Sequence, residues 1–114
     1  MANEVKHGVS LFSDYDIHLF KEGKHFKLWK KLGAHTIVHE KEDGVLFAVW
    51  APNAATVAVM GEFNGWNRSS HQLAVRWDES GIWEGFIPGL TSGELYKYVI
   101  QPLNTDTFLE KADP

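Results

Sequence analysis

From Ala34 onward the apolar residues recur mostly at every second position, in blocks broken by turn chemistry. That period is the signature of half-buried strands. AHTIVHE (34–40) leads through KEDG into VLFAVWA (45–51), predicting a hairpin in which Gly44 supplies a positive φ. Pro52 and Asn53 end the second strand. TVAVMGEF (56–63), QLAVRW (72–77), IWEGFIP (82–88) and ELYKYVI (94–100) follow, and DTFLEK (106–111) reads as a last short strand. FNGW, DESG and GLTSG separate them as turns. Seven or so strands at intervals of about ten residues predict an antiparallel sandwich or barrel. No sustained helix lies between strands, which argues against a parallel α/β sheet.

The first 33 residues have a different pattern. Ser13 followed by Asp16 approximates a capping box, although the usual partner is Glu or Gln. A helix is predicted to start after Ser13 and stop at Gly23, a C′ glycine. KHFKLWKKLG (24–33) predicts a second, with Phe26 and Trp29 three apart and a stop at Gly33. Both are near the length that is marginal in isolation, so both should lie against something larger.

Composition narrows the class. The 114 residues fit one domain with one core, 44% hydrophobic and 23% charged. Five Trp, three Tyr and seven Phe suit a strand-rich fold. With no cysteine there are no disulfides or thiolate zinc sites, and a cytoplasmic location is expected. No apolar run approaches the ~20 residues of a membrane span, and the N-terminus lacks the apolar core of a secretory signal. A formal charge of -4 argues against nucleic acid as partner. A neutral partner is the better expectation.

The residues bear on several chemistries. Glu62 and Glu84 lie in or beside strands and read as solvent-facing carboxylates; no serine sits in a nucleophile elbow. His35 and His39 share a strand face, about 13 Å apart at ~3.3 Å per residue, too far for one ion. Phosphate-binding glycine motifs are absent. No catalytic residue, metal or cofactor is therefore expected. Trp66 is different, because it sits between Asn64, Gly65 and Asn67 in a turn. It is either a core plug or an exposed face flanked by amides, and the turn residues leave the two open. The second arrangement suits a sugar ring, with an apolar face and a rim of hydroxyls. In LYKYVI, alternation sends Tyr96 and Tyr98 one way and Lys97 the other, with Leu95 and Val99 beside it.

FAVWAPNAATVAVMGEFNGWN, GIWEGFIPG and LYKYVI, closing at KADP, resemble the family 48 carbohydrate-binding modules found in glycogen branching enzymes, isoamylases and kinase β subunits. The leader LFSDYDIHLFKEGKHFKLWKKLGAH is similar to the segment that precedes the module in branching enzymes. The resemblance implies an all-β, immunoglobulin-like antiparallel β-sandwich. Residues 1–33 would be a short helical leader packed on it, and 34–114 the module. It implies binding of an α-1,4-glucan such as glycogen or a maltooligosaccharide, with Trp66 as the stacking ring and Lys97 as a sugar-contacting cation. Asn64 and Asn67 fall beside the ring as candidate sugar ligands, and Phe108 would supply a second ring. KADP resembles the junction to a catalytic barrel of the same chain, which would make α-1,6 branches and holds the catalytic residues. Two alternatives stand: a regulatory glycogen-binding module of the kinase β-subunit type, and a structural docking domain that binds no sugar.

Overall fold

The alternating segments pair into two antiparallel sheets packed face to face. The architecture is that of a computed structural model that describes residues 4–23, 31–91, 93–103 and 107–111. The strands are β1 (Gly33–His39), β2 (Glu42–Trp50), β3 (Ala54–Gly61), β4 (Ala74–Val75), β5 (Ile82–Pro88), β6 (Tyr96–Pro102) and β7 (Leu109–Lys111). One sheet has the order β1-β2-β5-β4 and the other β3-β6-β7. Residues 71–73 extend the second sheet beyond β3, through Val59 N–H to the His71 carbonyl at 2.9 Å and Leu73 N–H to the Val57 carbonyl at 2.8 Å. The chain then crosses to the first sheet as β4, so only a two-residue strand forms where a longer one was expected.

The inner faces carry the main core. Val45, Phe47 and Ile87 of the first sheet meet Val57, Val59 and Tyr98 of the second. Tyr98 is almost fully buried and Tyr96 packs against the same cluster, so the alternation that sets Lys97 on the opposite face turns it outward. Burial raises the Tyr98 phenol above its usual pKa.

The outer face of the four-stranded sheet is covered by the leader. Helix α1 (Asp14–Lys21) begins at a complete capping box: the Asp16 backbone N–H donates to Ser13 Oγ and the Ser13 backbone N–H donates to Asp16 Oδ2. It ends before Gly23, whose φ of 72° closes the last turn. Phe12 and Ile17 pack on Ala48 and Ile82, and Val9 packs on Leu46 and Phe86. The expected second helix lies mostly on residues 24–30, outside the described residues. No helix among the described residues is long and apolar enough to cross a membrane.

The β1–β2 hairpin corrects the expectation for Gly44. The turn is the two-residue Glu40–Lys41 pair, with φ of 50° and 68°, closed by His39 opposite Glu42. Gly44 instead lies within β2, between Ile37 of β1 and Pro88 of β5. A Cβ there would stand 2.5 Å from the Ile87 carbonyl oxygen and 2.7 Å from Pro88 Cα. Its glycine is required by close backbone approach, not by turn geometry.

Candidate functional site

Strand β3 stops at Gly61 and passes into a single 3₁₀ turn, Glu62–Asn64. Gly65 and Trp66 then both take left-handed conformations, at φ of 65° and 60°. Glycine does this freely; for tryptophan it costs about 1–2 kcal/mol. Strain of this kind persists only where surrounding bonds hold it. The Trp66 N–H donates to the Gly61 carbonyl at 2.8 Å, and the Asn67 N–H to the Asn64 carbonyl at 3.3 Å.

The turn residues leave open whether Trp66 plugs the core or faces outward, and the structure answers it. Phe63 packs against the main cluster and meets His71 edge-on at 5.2 Å. Trp66 is 42% exposed. The apolar demand at the end of β3 is thus met three residues earlier, and the indole is left facing solvent.

The two asparagines brace this turn. Asn64 Oδ1 accepts from the Gly61 N–H at 3.0 Å, while its Nδ2 donates to the Val59 carbonyl and to His71 Nδ1, both at 3.0 Å. An amide can only donate from that nitrogen, so His71 Nδ1 is the unprotonated one. Asn67 Oδ1 accepts from the Ser69 N–H, the Ser69 hydroxyl and the Ser70 N–H. Its Nδ2 has no partner among the described residues.

Lys97 and Phe108 lie on the same outer face of the three-stranded sheet as the cluster of Ala58, Met60 and Val99. Lys97 is exposed and stands opposite Met60. Phe108, 42% exposed, precedes β7, whose Glu110 stands opposite Val99. Arg68 ties the Trp66 loop to this strand. Its Nη2 donates to Glu110 Oε2 at 2.9 Å, and its guanidinium lies 5.7 Å from the centre of the Phe108 ring. The sequence reading missed Arg68, because its partners come from a strand more than forty positions away; only the loop's return across the face brings them together. Arg68 thus brings the loop that carries Trp66 and Asn67 back to the strand end that carries Phe108 and Glu110, while Lys97 projects from the outer face of the same sheet.

The reading of Glu84 as solvent-facing is corrected. It is 7% exposed and sits under the leader on the outer face of the first sheet. Its Oε2 accepts from Ser10 Oγ at 2.5 Å and its Oε1 from Arg76 Nη1 at 3.0 Å. Arg76 Nε also donates to Asp78 Oδ2 at 2.9 Å. Burial raises the Glu84 pKa, against the pull of Ser10 and Arg76. Burial would also raise Asp78, but hydrogen bonds from Ser80 and Arg76 overcome it and hold that carboxyl low. Glu62 is exposed. His35 and His39 both lie on β1, four positions apart. Among the described residues no three His, Cys, Asp or Glu converge as a metal site would need.

The model of the family described as carbohydrate-binding module 48 (isoamylase N-terminal domain) matches residues 31–114. The chain is 52% identical over 102 residues to the 1,4-alpha-glucan branching enzyme GlgB of Thermosynechococcus vestitus, covering 90% of this chain and 13% of that protein. It is 51% identical over 104 residues to that of Synechococcus elongatus, covering 91% and 13%. Against the enzyme of Nitrosococcus oceani the identity is 46% over 102 residues, covering 90% and 14%. The chain therefore spans about one seventh or less of the length of these relatives.

Proposed function

The chain belongs to the carbohydrate-binding module 48 family, and we propose that it binds α-1,4-glucan at the Trp66 face as the N-terminal domain of a cytoplasmic 1,4-α-glucan branching enzyme. The observation that carries the binding role is Trp66 itself: exposed, held in a strained left-handed conformation, and backed by a turn whose core ring is Phe63. Lys97 and the Asn67 amide nitrogen supply donors to ring hydroxyls, Phe108 a second apolar face, and Asn64 the brace that aims Trp66. The relatives, which are 1,4-alpha-glucan branching enzymes aligned along most of this chain, support the parent activity. In that protein a catalytic barrel transfers a glucan segment to a 6-hydroxyl, and this domain holds the polymer nearby. Weak binding suffices for that purpose, because tethering raises the local concentration of chain ends.

Docking of the module onto the rest of the polypeptide is compatible with this reading. Val38 is 66% exposed on the overhanging β1 and Leu95 60% exposed before β6, both apolar side chains that a neighbouring domain would cover. The test is made on the longer polypeptide encoded with this chain, acting on linear α-1,4-glucan. New α-1,6 linkages are expected, with Trp66→Ala raising KM for long glucan and leaving kcat within about twofold. Absence of α-1,6 product would refute the parent activity. An unchanged KM would refute the binding role of the ring.

A further inference from the structure

The four described tryptophans fall into two pairs. The Trp50 indole N–H donates to the Ser80 carbonyl at 3.2 Å, and that of Trp83 to the Ala51 carbonyl at 3.0 Å. Neither Trp66 nor Trp77 has such a partner among the described residues, and Trp77 is 80% exposed. A ring so large is seldom left so bare.

The turn that carries Trp77 is braced on both sides of it. It lies between β4 and β5, where the Arg76 N–H donates to the Ile82 carbonyl at 2.8 Å. Arg76 Nε spans the turn to Asp78 Oδ2, and Asp78 Oδ1 in turn accepts from the Ser80 hydroxyl at 2.7 Å. Beside the ring opens a cavity of about 250 Å³, lined by His7, Ser10, Arg76, Trp77 and Glu84. Pockets for whole drug-sized ligands start at about 300 Å³, so this one holds a single ring with its neighbours in solvent.

The cavity offers both donors and acceptors. Arg76 Nη1 is bonded to Ser10 and Glu84, while its Nη2 has no partner among the described residues. Arg76, Glu84 and Asp78 together carry a net negative charge when ionised, which disfavours an anion. An apolar ring face beside a pocket with a few polar groups of this net charge fits an uncharged sugar.

We infer that Trp77 and this cleft form a second glucan-binding site, separate from Trp66. Glu84 is on the outer face of the four-stranded sheet, and Lys97 and Met60 are on the outer face of the other. One short oligosaccharide cannot lie on both, so the two sites take separate stretches of polymer. Two weak sites on one domain bind a branched polymer more tightly than either does alone. The choice of α-1,4-glucan as ligand rests on the function proposed above; the second site itself does not.

The test follows the indole N–H resonances of the ¹⁵N-labelled 114-residue chain, together with the backbone amides of Asp78 and Glu79 that report the second cleft when Trp77 is replaced, during titration with maltoheptaose. The Trp66 and Trp77 signals are each expected to shift, with their own dissociation constants. Trp77→Ala should weaken the second event about tenfold or more, the effect of truncating an anchoring tryptophan. It should leave the Trp66 titration within twofold and the thermal midpoint unchanged, and Trp77→Phe should restore most of the binding. A Trp77 signal that stays still while Trp66 saturates overturns the inference. So does a Trp77 shift that disappears in Trp66→Ala, because the two would then be one site. If Trp77 responds and Trp66 does not, the second site stands and the role given to Trp66 falls. An equal response to cellohexaose would overturn the α-glucan assignment.

Discussion

Replacing Asn64 by alanine separates a brace from a ligand. At the sequence level Asn64 was expected to meet sugar, yet its side chain makes three contacts within the protein, each at 3.0 Å. A hydrogen bond of this kind contributes about 1 kcal/mol net, and a partner left without one costs as much or more. Losing all three should therefore destabilise the fold by about 3 kcal/mol. For 114 residues the unfolding entropy is about 0.24 kcal/mol/K, so the midpoint should fall by about 12 °C. Thermal unfolding followed by far-UV circular dichroism reads this directly. Glucan affinity should fall too, since the Gly61 carbonyl that holds the Trp66 N–H is next to the lost contact. A midpoint within about 2 °C of wild type, with binding abolished, would refute the reasoning and make Asn64 a direct ligand.

Three further expectations follow from the fold. Gly44→Ala should cost at least about 3 kcal/mol by thermal unfolding, because its Cβ meets backbone that cannot move; Gly65→Ala, with open space but φ of 65°, should cost about 1–2 kcal/mol. Equal small losses would contradict the close-approach role of Gly44. Replacing Glu40–Lys41 by Asn-Gly should raise the midpoint by about 4 °C, as the two left-handed residues of the hairpin turn become favourable ones; a fall would contradict that turn geometry. Glu84 has a raised folded pKa, so its contribution to stability is full below the unfolded value and is lost as pH rises through the folded value. Glu84→Gln should therefore cost less stability at pH 7 than at pH 4 in urea unfolding, and the opposite order would show that Arg76 outweighs burial.

The legible parts of the sequence were those set by local pattern. Alternation placed β2, β3, β5 and β6 and set Tyr98 and Lys97 on opposite faces, because a strand's side-chain period leaves no other choice; which face was inner only the packed sheets show. The Ser13 and Asp16 spacing gave the start of α1, a contact within one turn of helix. What was hidden depended on distant pieces of chain. Gly44 looked like a turn residue until Pro88 was set beside it, and Glu84 looked solvated until the leader covered its face. The shortness of β4 reflects a strand that changes sheets, which no local pattern records. At the site, Trp66 could be placed in the turn but not oriented. Its orientation depends on Phe63 taking the core position, and Arg68 on a loop that folds back over β7.

The central claim is that the exposed Trp66 ring carries glucan. Its most direct test is isothermal titration of the chain with maltoheptaose in a Trp77→Ala background, which isolates the Trp66 face. Adding Trp66→Ala should weaken binding about tenfold or more, while circular dichroism shows the fold intact. Equal affinity with and without the Trp66 ring would contradict the claim.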